Sequence, residues 1–161
     1  MTVTSFNVDY DDLTIRLVAD FDASVEQVWG LWSDPRTLER WWGPPGSPAT
    51  VETHHLTPGG EVTYFMTDPE GDTHHGVWRV TAVHPPTSLE FIDRFAETDG
   101  TPIATMPISR VSVQLIERDG GTRMEIQMSL ESREDLEKLL GTGVMEGLRG
   151  AVAQMDALLA A

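Results

Sequence analysis

Histidine is the first residue type in this chain that could carry chemistry, and four of its histidines stand in two adjacent pairs, His54-His55 and His74-His75. Four imidazoles would suit zinc or nickel. Adjacent residues of a strand point to opposite faces of a sheet, so neither pair can chelate one ion by itself. We therefore expect no metal and no cofactor. A single inward-facing His74 or His75 would still serve as an acid or base near neutral pH.

The usual nucleophile motifs are absent from the sequence. It has no cysteine, no Gly-x-Ser-x-Gly, no His-Glu-x-x-His and no glycine-rich phosphate loop. An enzyme built from this chain would have to use single polar groups set into an apolar pocket. The catalytic candidates are His74, His75, Asp93 and Arg110, with Arg94 beside them, and the alternative for each is a solvated strand face or a surface ion pair. We lean towards a protein that is not an enzyme.

Tryptophan is unevenly distributed, since four of the five indoles lie at Trp29, Trp32, Trp41 and Trp42. The second pair continues as Gly43-Pro44-Pro45-Gly46, which no helix can contain because proline lacks the N–H and fixes φ. Two interpretations stay open. Either one indole packs under the end of a sheet, or Trp42 closes the mouth of a pocket.

Apolar residues also alternate along several segments, as in Val62, Tyr64 and Met66. Such a face is either plain core or the wall of a ligand pocket, and methionine favours the pocket because its flexible thioether suits adaptable apolar sites. The predicted ligand-pocket residues are Trp42, Tyr64, Met66, Trp78, Phe91, Phe95, Met145 and Leu148. A one-residue error in register would exchange each strand residue for its neighbour.

The first elements that must position these residues are a strand and two short helices. Residues 14–22 alternate with period 2, which predicts a half-buried strand. Ser24 and Gln27 have the spacing of a capping box, which predicts a helix through Trp32. Asp34 followed by Pro35 predicts a second short helix that carries Leu38, Trp41 and Trp42.

The remaining chain predicts an antiparallel meander followed by one long helix. Strand patterns separated by turn residues occupy 49–56, 61–67, 73–83, 88–95, 107–118 and 122–130. Ser132 with Asp135 then opens a helix that runs to the C-terminus, where Gly143, Gly147 and Gly150 form a groove that either permits close approach or leaves space. The expected fold is α+β over residues 1–161 as one domain, with a sheet of six to seven strands.

Charge narrows the range of functions. The 161 residues include 26 acidic and 11 Lys+Arg side chains, for a formal net charge of −15. Such a surface repels nucleic-acid phosphates and anionic lipid, so we expect neither as a partner. The N-terminus has no basic region followed by an apolar core, and no stretch approaches the ~20 apolar residues of a membrane span. We expect a cytoplasmic protein.

Five segments in order resemble one known family. They are ASVEQVWGLWSDPRTLERWWGPPG at 23–46, LTPGGEVTYFM at 56–66, HGVWRVTAVHPPTSLEF at 75–91, ERDGGTRMEI at 117–126 and GVMEGLRGAVAQMDALL at 143–159. The chain resembles the bacterial proteins named after the activator of the 90-kDa heat-shock chaperone's ATPase, within the START-like or SRPBCC superfamily. The resemblance implies a helix-grip fold, in which a curved antiparallel sheet grips a long C-terminal helix around a cavity that in relatives holds apolar molecules.

Three functions follow as hypotheses. The first is binding of a small apolar, lipid-like or aromatic molecule between sheet and helix. The second is an enzyme of the cyclase or hydrolase kind, which needs a buried ionisable side chain with a shifted pKa in the cavity. The third, suggested by the family name alone, is a module that modulates a chaperone through an exposed apolar patch. The identity of the ligand and the choice between monomer and homodimer stay open.

Overall fold

The computed structural model describes residues 3–160, and these form one antiparallel sheet with helices at two places in the chain. The sheet has the strand order β1-β2-β8-β7-β6-β5-β4-β3. The strands are β1 (Val3–Asp9), β2 (Thr14–Phe21), β3 (Ala49–His54), β4 (Glu61–Thr67), β5 (Thr73–His84), β6 (Ser88–Ala96), β7 (Ile108–Arg118) and β8 (Gly121–Ser129). The helices are α1 (Val25–Ser33), α2 (Pro35–Leu38), α3 (Arg133–Leu140) and α4 (Val144–Ala160). The α+β class, the antiparallel sheet and the C-terminal helix are confirmed.

The strand count differs from the expectation of six to seven, because the described part of the chain contains eight. The additional strand is β1, which pairs with β2 at the edge of the sheet and carries an irregularity between Val3 and Ser5. Its residues are mostly exposed or half-buried, since an edge strand has a neighbour on one side only. Partial burial leaves a weak alternation of apolar and polar residues, so the pattern did not reveal it.

Both predicted helix starts after β2 are confirmed. The Ser24 hydroxyl accepts from the backbone N–H of Gln27, and the Gln27 side chain accepts from the Ser24 N–H. The Asp34 carboxylate accepts from the N–H groups of Arg36 and Thr37 at the start of α2. The second helix is shorter than expected, however. It ends at Leu38, and Trp41 and Trp42 lie in the hydrogen-bonded turn that follows.

The predicted long C-terminal helix is divided in two. Ser132 caps α3 as expected, by accepting from the N–H of Asp135. The helix then ends at Leu140, and α4 begins only at Val144. Gly143 has φ +83°, a left-handed conformation that no helix contains and that glycine adopts at little cost. The break therefore follows from the glycines that the sequence pattern placed inside one helix.

The core lies between the inner face of the sheet and the helices. Alternate residues of the central strands are fully or almost fully buried there, including Leu17, Trp78, Phe91, Val113 and Ile126. On the other side of the core, the α4 helix contributes Leu148, Ala151, Val152 and Met155. Within residues 3–160, no helix is long and apolar enough to cross a membrane.

The glycines of α4 have two different roles. A Cβ at Gly150 would lie 3.0 Å from Pro45 Cδ, so this glycine lets the proline corner approach the helix. The Gln154 amide then donates to the carbonyls of Trp41 and Gly43, at 3.2 and 2.7 Å. A Cβ at Gly147 would meet nothing within 4 Å. One turn of the helix thus anchors the Trp41–Gly43 turn, and the preceding turn faces empty space.

Candidate functional site

A cavity of about 230 Å³ lies between the inner face of the sheet and the broken C-terminal helix. Its exposed lining residues, His74, Thr142 and Gly143, place the opening between the start of β5 and the break between α3 and α4. The wall is mainly apolar. The lining residues are Trp42, Pro44, Tyr64, Met66, His74, His75, Asp93, Arg94, Phe95, Ser109, Met128, Leu139, Thr142, Gly143, Val144, Gly147 and Leu148.

Strand register brings three polar side chains of this wall together. Tyr64 on β4 is opposite Gly76 on β5, and Asp93 on β6 is opposite Ser109 on β7. Gly76 is also opposite Phe95, two residues after Asp93 on the same face of β6. Tyr64, Asp93 and Ser109 therefore belong to the inner face of neighbouring strands.

Gly76 permits this arrangement because it has no side chain. A Cβ built at Gly76 would overlap the hydroxyl oxygen and the Cζ atom of Tyr64. The phenol thus lies across β5 in the space that any other residue would fill, and its hydroxyl reaches Asp93 on the next strand. The Tyr64 hydroxyl donates to Asp93 Oδ1 at 3.2 Å.

Burial shifts the titration of both members of this pair. It raises the pKa of Asp93 to about 7, because an ionised carboxylate loses its hydration, and the hydrogen bonds from Tyr64 and from the Arg94 backbone oppose that rise only in part. The pKa of Tyr64 lies well above its usual value, first because of burial and then because of the Asp93 charge. The pair is therefore a neutral phenol beside a carboxyl group that titrates near neutral pH.

Two indole N–H groups approach the same phenol. The N–H groups of Trp42 and Trp78 are buried without a hydrogen-bond partner in the described structure, and their proximity to the Tyr64 hydroxyl lowers its pKa in part. The rings pack edge to face, with centroids 5.9 Å apart for Trp42 and Tyr64 and 4.8 Å for Trp42 and Trp78. With the indoles on its oxygen side, the phenol directs its proton towards Asp93.

Histidine and arginine side chains border the opening. His74 Nε2 lies 2.9 Å from Asp68 Oδ2, and this contact keeps the pKa of the Asp68 carboxyl below its usual range. His75 contacts Thr73 Oγ1 at 3.1 Å and packs its ring against Phe65. The Nε of Arg94 is buried without a hydrogen-bond partner in the described structure.

The structure places five of the eight predicted pocket residues on the cavity wall. These are Trp42, Tyr64, Met66, Phe95 and Leu148. Trp78 and Phe91 lie outside the wall, fully buried and stacked on each other with centroids 4.0 Å apart, as part of the core. Met145 is half-buried and also lies outside it, since Val144 and Leu148 of the same helix present the cavity side. Whether the wall residues bind a ligand stays a prediction.

Arg110 is the one catalytic candidate that does not lie on the cavity wall. His74, His75 and Asp93 lie on the wall, together with Arg94. Arg110 does not, because it follows Ser109 on β7 and the inner position belongs to Ser109, which is 5% exposed, while Arg110 is exposed to solvent. This is the one-residue register effect that the sequence left undecided.

Sequence reasoning missed Ser109, Met128 and Pro44, together with the helix residues around the break. The alternation of β7 contained the signal for Ser109, since it shares a face with Val111 and Val113. The glycines at 141 and 143 contained the signal for Thr142 and Gly143, since they end α3 before α4 begins.

Histidine does not assemble a metal site in the described structure. Among residues 3–160, no group of three or more His, Asp and Glu side chains comes together with the geometry to hold a metal ion. His54 instead points its Nε2 at the Trp32 carbonyl, 3.1 Å away.

Comparison with known families and with solved structures finds similar proteins over most of the chain. The family described as activator of Hsp90 ATPase homolog 1-like protein matches residues 22–160. The crystal structure of protein Ms6760 from Mycobacterium smegmatis is 46% identical, with 98% of this chain and 96% of that chain covered and a TM-score of 0.92. The solution NMR structure of a protein from Arthrobacter aurescens is 44% identical, with 99% and 92% covered and a TM-score of 0.95.

A more distant likeness concerns the fold alone. DynU16, a protein in the dynemicin biosynthetic locus, is 21% identical, with 89% of this chain and 46% of that chain covered and a TM-score of 0.66. A comparison with curated proteins found no match.

Proposed function

The chain belongs to the family of activator of Hsp90 ATPase homolog 1-like proteins, and from its cavity we propose that it binds one small, largely apolar or aromatic molecule between the sheet and the C-terminal helix. The observation that supports the proposal is the cavity itself, which combines mainly apolar walls with a few polar groups, among them the hydrogen-bonded pair Tyr64 and Asp93. Ligand pockets typically have this composition, in which the apolar surface supplies affinity and a few polar groups orient the ligand.

The volume limits the ligand. A dry apolar cavity of about 150 Å³ takes up benzene, and the cavity here is about 230 Å³. A molecule of one or two rings, or a short acyl chain, therefore fits without rearrangement. A sterol or a long lipid would need the sheet and α4 to separate.

Gly147 provides a test of the cavity, because it lines the cavity and a Cβ there would have no other atom within 4 Å. Gly147→Leu is expected to reduce binding of one-ring ligands at least about tenfold. Stability should be unchanged or up to about 1 kcal/mol higher, since leucine favours a helix interior more than glycine does. Binding is measured by titration calorimetry with toluene or phenol, and stability by urea unfolding.

The matched control is Gly30→Leu, the same substitution in α1 at a position that also has open space but lies outside the cavity. It should leave binding unchanged. Native mass spectrometry of the gently purified protein adds an independent readout, because a ligand retained from the cell would appear as an adduct that is lost on denaturation. Equal ligand affinity in Gly147→Leu and the wild-type protein would contradict the proposal.

A second candidate function is supported by one observation, the carboxyl group of Asp93 in the cavity. A carboxyl group in a mainly apolar cavity whose pKa is about 7 suits a general acid or base at neutral pH. In a hydrolase of this kind, Asp93 would take a proton from a water molecule that attacks an ester carbonyl. The acyl C–O bond would then break, and Asp93 would return the proton to the leaving oxygen, which gives the acid and the alcohol. An ionisable side chain with a shifted pKa in the cavity is the feature that the enzyme hypothesis requires.

Ester hydrolysis would discriminate the two functions. If the protein is an enzyme of this kind, turnover of p-nitrophenyl acetate should rise with pH around a midpoint near 7, and Asp93→Asn should reduce it at least about a hundredfold. Asp156→Asn, on the exposed side of α4, is the control for the change of charge. A rate that is equal in all three proteins would exclude this role for Asp93.

Chaperone modulation would need a surface rather than the cavity. The large hydrophobic side chains exposed among residues 3–160 are Tyr10 and Ile116, at 44% and 41%. Two separated side chains are ordinary for a monomeric protein. We therefore place this alternative behind the two that use the cavity.

A further inference from the structure

Asp93 is a carboxyl group without a cationic partner. The ion pairs of the described structure join other residues, and Asp93 takes part in none of them. Its side chain accepts hydrogen bonds from the Tyr64 hydroxyl, at Oδ1, and from the Arg94 backbone N–H, and the lone pairs that remain on the carboxylate are available to another donor. A carboxylate removed from water is stabilised chiefly by a cation or by several donors. No cation pairs with this one.

The basic side chains of the wall form no ion pair with Asp93. The β4 strand contributes Tyr64 and Met66, and β7 contributes Ser109 and no charge. On β5, His74 is engaged by Asp68, and His75 packs against Phe65. Arg94 follows Asp93 directly and forms no ion pair with it. The residues from the helices and their break are uncharged: Leu139, Thr142, Gly143, Val144, Gly147 and Leu148.

The surroundings of the carboxyl group favour a cation as the missing complement. Trp42, Tyr64 and Phe95 place three aromatic rings in the same wall, and aromatic rings attract organic cations through their electron-rich faces. The net charge of −15 adds a long-range attraction for cations. An anion would be repelled by the Asp93 carboxylate, and the repulsion would be strong in a cavity of low polarity. A neutral molecule would leave that carboxylate without a cationic partner.

We propose that the ligand is a small organic amine, bound with its ammonium group on the Asp93 carboxylate and its apolar body among Trp42, Phe95 and the helix wall. The Ser109 hydroxyl, on the strand paired with β6, is placed to accept a second N–H. This inference rests on the proposed ligand-binding function and defines its chemical class. It extends to amines with a body of one or two rings, which the cavity volume admits.

The inference has a pH signature. The ammonium group needs an ionised Asp93, whose pKa in the free protein is about 7. Amine affinity should therefore rise by about tenfold between pH 6 and pH 8, because the carboxylate fraction rises from about one tenth to about nine tenths. A neutral ligand of the same shape should bind equally at both values.

Three probes of one shape test the proposal in the full chain: 2-phenylethylamine, 2-phenylethanol and phenylacetate, titrated calorimetrically at pH 6 and pH 8. At pH 8 the amine is expected to bind at least about tenfold more tightly than the alcohol, as a charge-assisted hydrogen bond does, and phenylacetate least tightly. Asp93→Asn should abolish the preference for the amine and keep the affinity for the alcohol. Asp156→Asn is the matched charge control.

The outcomes separate this inference from the function on which it rests. If the alcohol binds as tightly as the amine at pH 8, the amine proposal is overturned and apolar binding stands. If Asp93→Asn keeps the amine preference, Asp93 is not the recognition group and the proposal is likewise overturned. If none of the three probes binds, both the amine proposal and binding of one-ring ligands fail. Circular dichroism of each variant establishes that it is folded.

Discussion

Asp93→Asn is expected to be more stable than the wild-type protein at pH 8, by about 2–4 kcal/mol in the free energy of unfolding. At that pH the wild-type carboxyl is ionised in a cavity that offers one side-chain hydrogen bond and no cation. Asparagine has nearly the same shape, carries no charge and can still accept from Tyr64. We take the range below the full value of the shift, because Asp93 is half-buried and keeps some contact with solvent.

The pH dependence follows from the direction of the shift. The folded-state pKa of Asp93 is about 7 and its ordinary value is 3.8. The stability associated with the protonated group is therefore fully present below about pH 4 and is lost as pH rises to about 7, where the folded state also releases the proton. The difference between Asp93→Asn and the wild-type protein should be small near pH 4 and should reach its maximum above pH 7.

Urea unfolding between pH 4 and pH 9 measures this difference. Asp156→Asn, which removes an exposed charge of the same sign, should change stability by less than about 0.5 kcal/mol. A variant Asp93→Asn that is less stable than the wild-type protein at pH 8 would show that the carboxylate is well solvated or paired. A protein that keeps a destabilising charge in a cavity commonly does so for function.

Trp41→Ala is expected to destabilise the protein by about 3–5 kcal/mol, as large-to-small substitutions of buried aromatic residues do. The ring is fully buried and lies edge to face with Trp32, with centroids 4.7 Å apart. Its indole N–H also donates to the Leu31 carbonyl at 2.7 Å. Alanine would leave a void among the indoles and an unpaired carbonyl at the end of α1. Urea unfolding at pH 7 gives the change.

Two further variants separate the contributions of packing and of the indole hydrogen bond to the stability lost in Trp41→Ala. Trp41→Phe keeps most of the ring and loses the hydrogen bond, so we expect a loss of about 1–3 kcal/mol. Tyr10→Ala removes an aromatic ring that is 44% exposed and should change stability by less than about 1 kcal/mol. A loss below about 1 kcal/mol for Trp41→Ala would contradict the packing role of this residue.

The two adjacent indoles have different positions, one in the core and one on the cavity wall, and neither of them lies at the opening of the cavity. Trp41 is core, as its complete burial shows, while Trp42 is 8% exposed and lines the cavity. Adjacent positions in the turn after α2 point their side chains in different directions. Residue type alone does not assign the roles, because both residues are tryptophan and both flank the same corner.

The local signals in the sequence predicted the elements well. Capping residues such as Ser24, Asp34 and Ser132 begin the helices where expected. These features depend on residues that are close in the chain, through backbone hydrogen bonds of one helical turn or the two-residue period of a strand. The face of β4 that carries Val62, Tyr64 and Met66 follows for the same reason.

The tertiary structure alone decided where the candidate site lies. Tyr64 and Asp93 are 29 residues apart, and their hydrogen bond depends on two strand registers and on the missing side chain of Gly76 between them. Gly147 and Gly150 are the same residue type on one helix, yet one faces the cavity and the other contacts Pro45. A sequence pattern shows which residues share an element, whereas the cavity, the register and the charge left unpaired within it arise from contacts between elements.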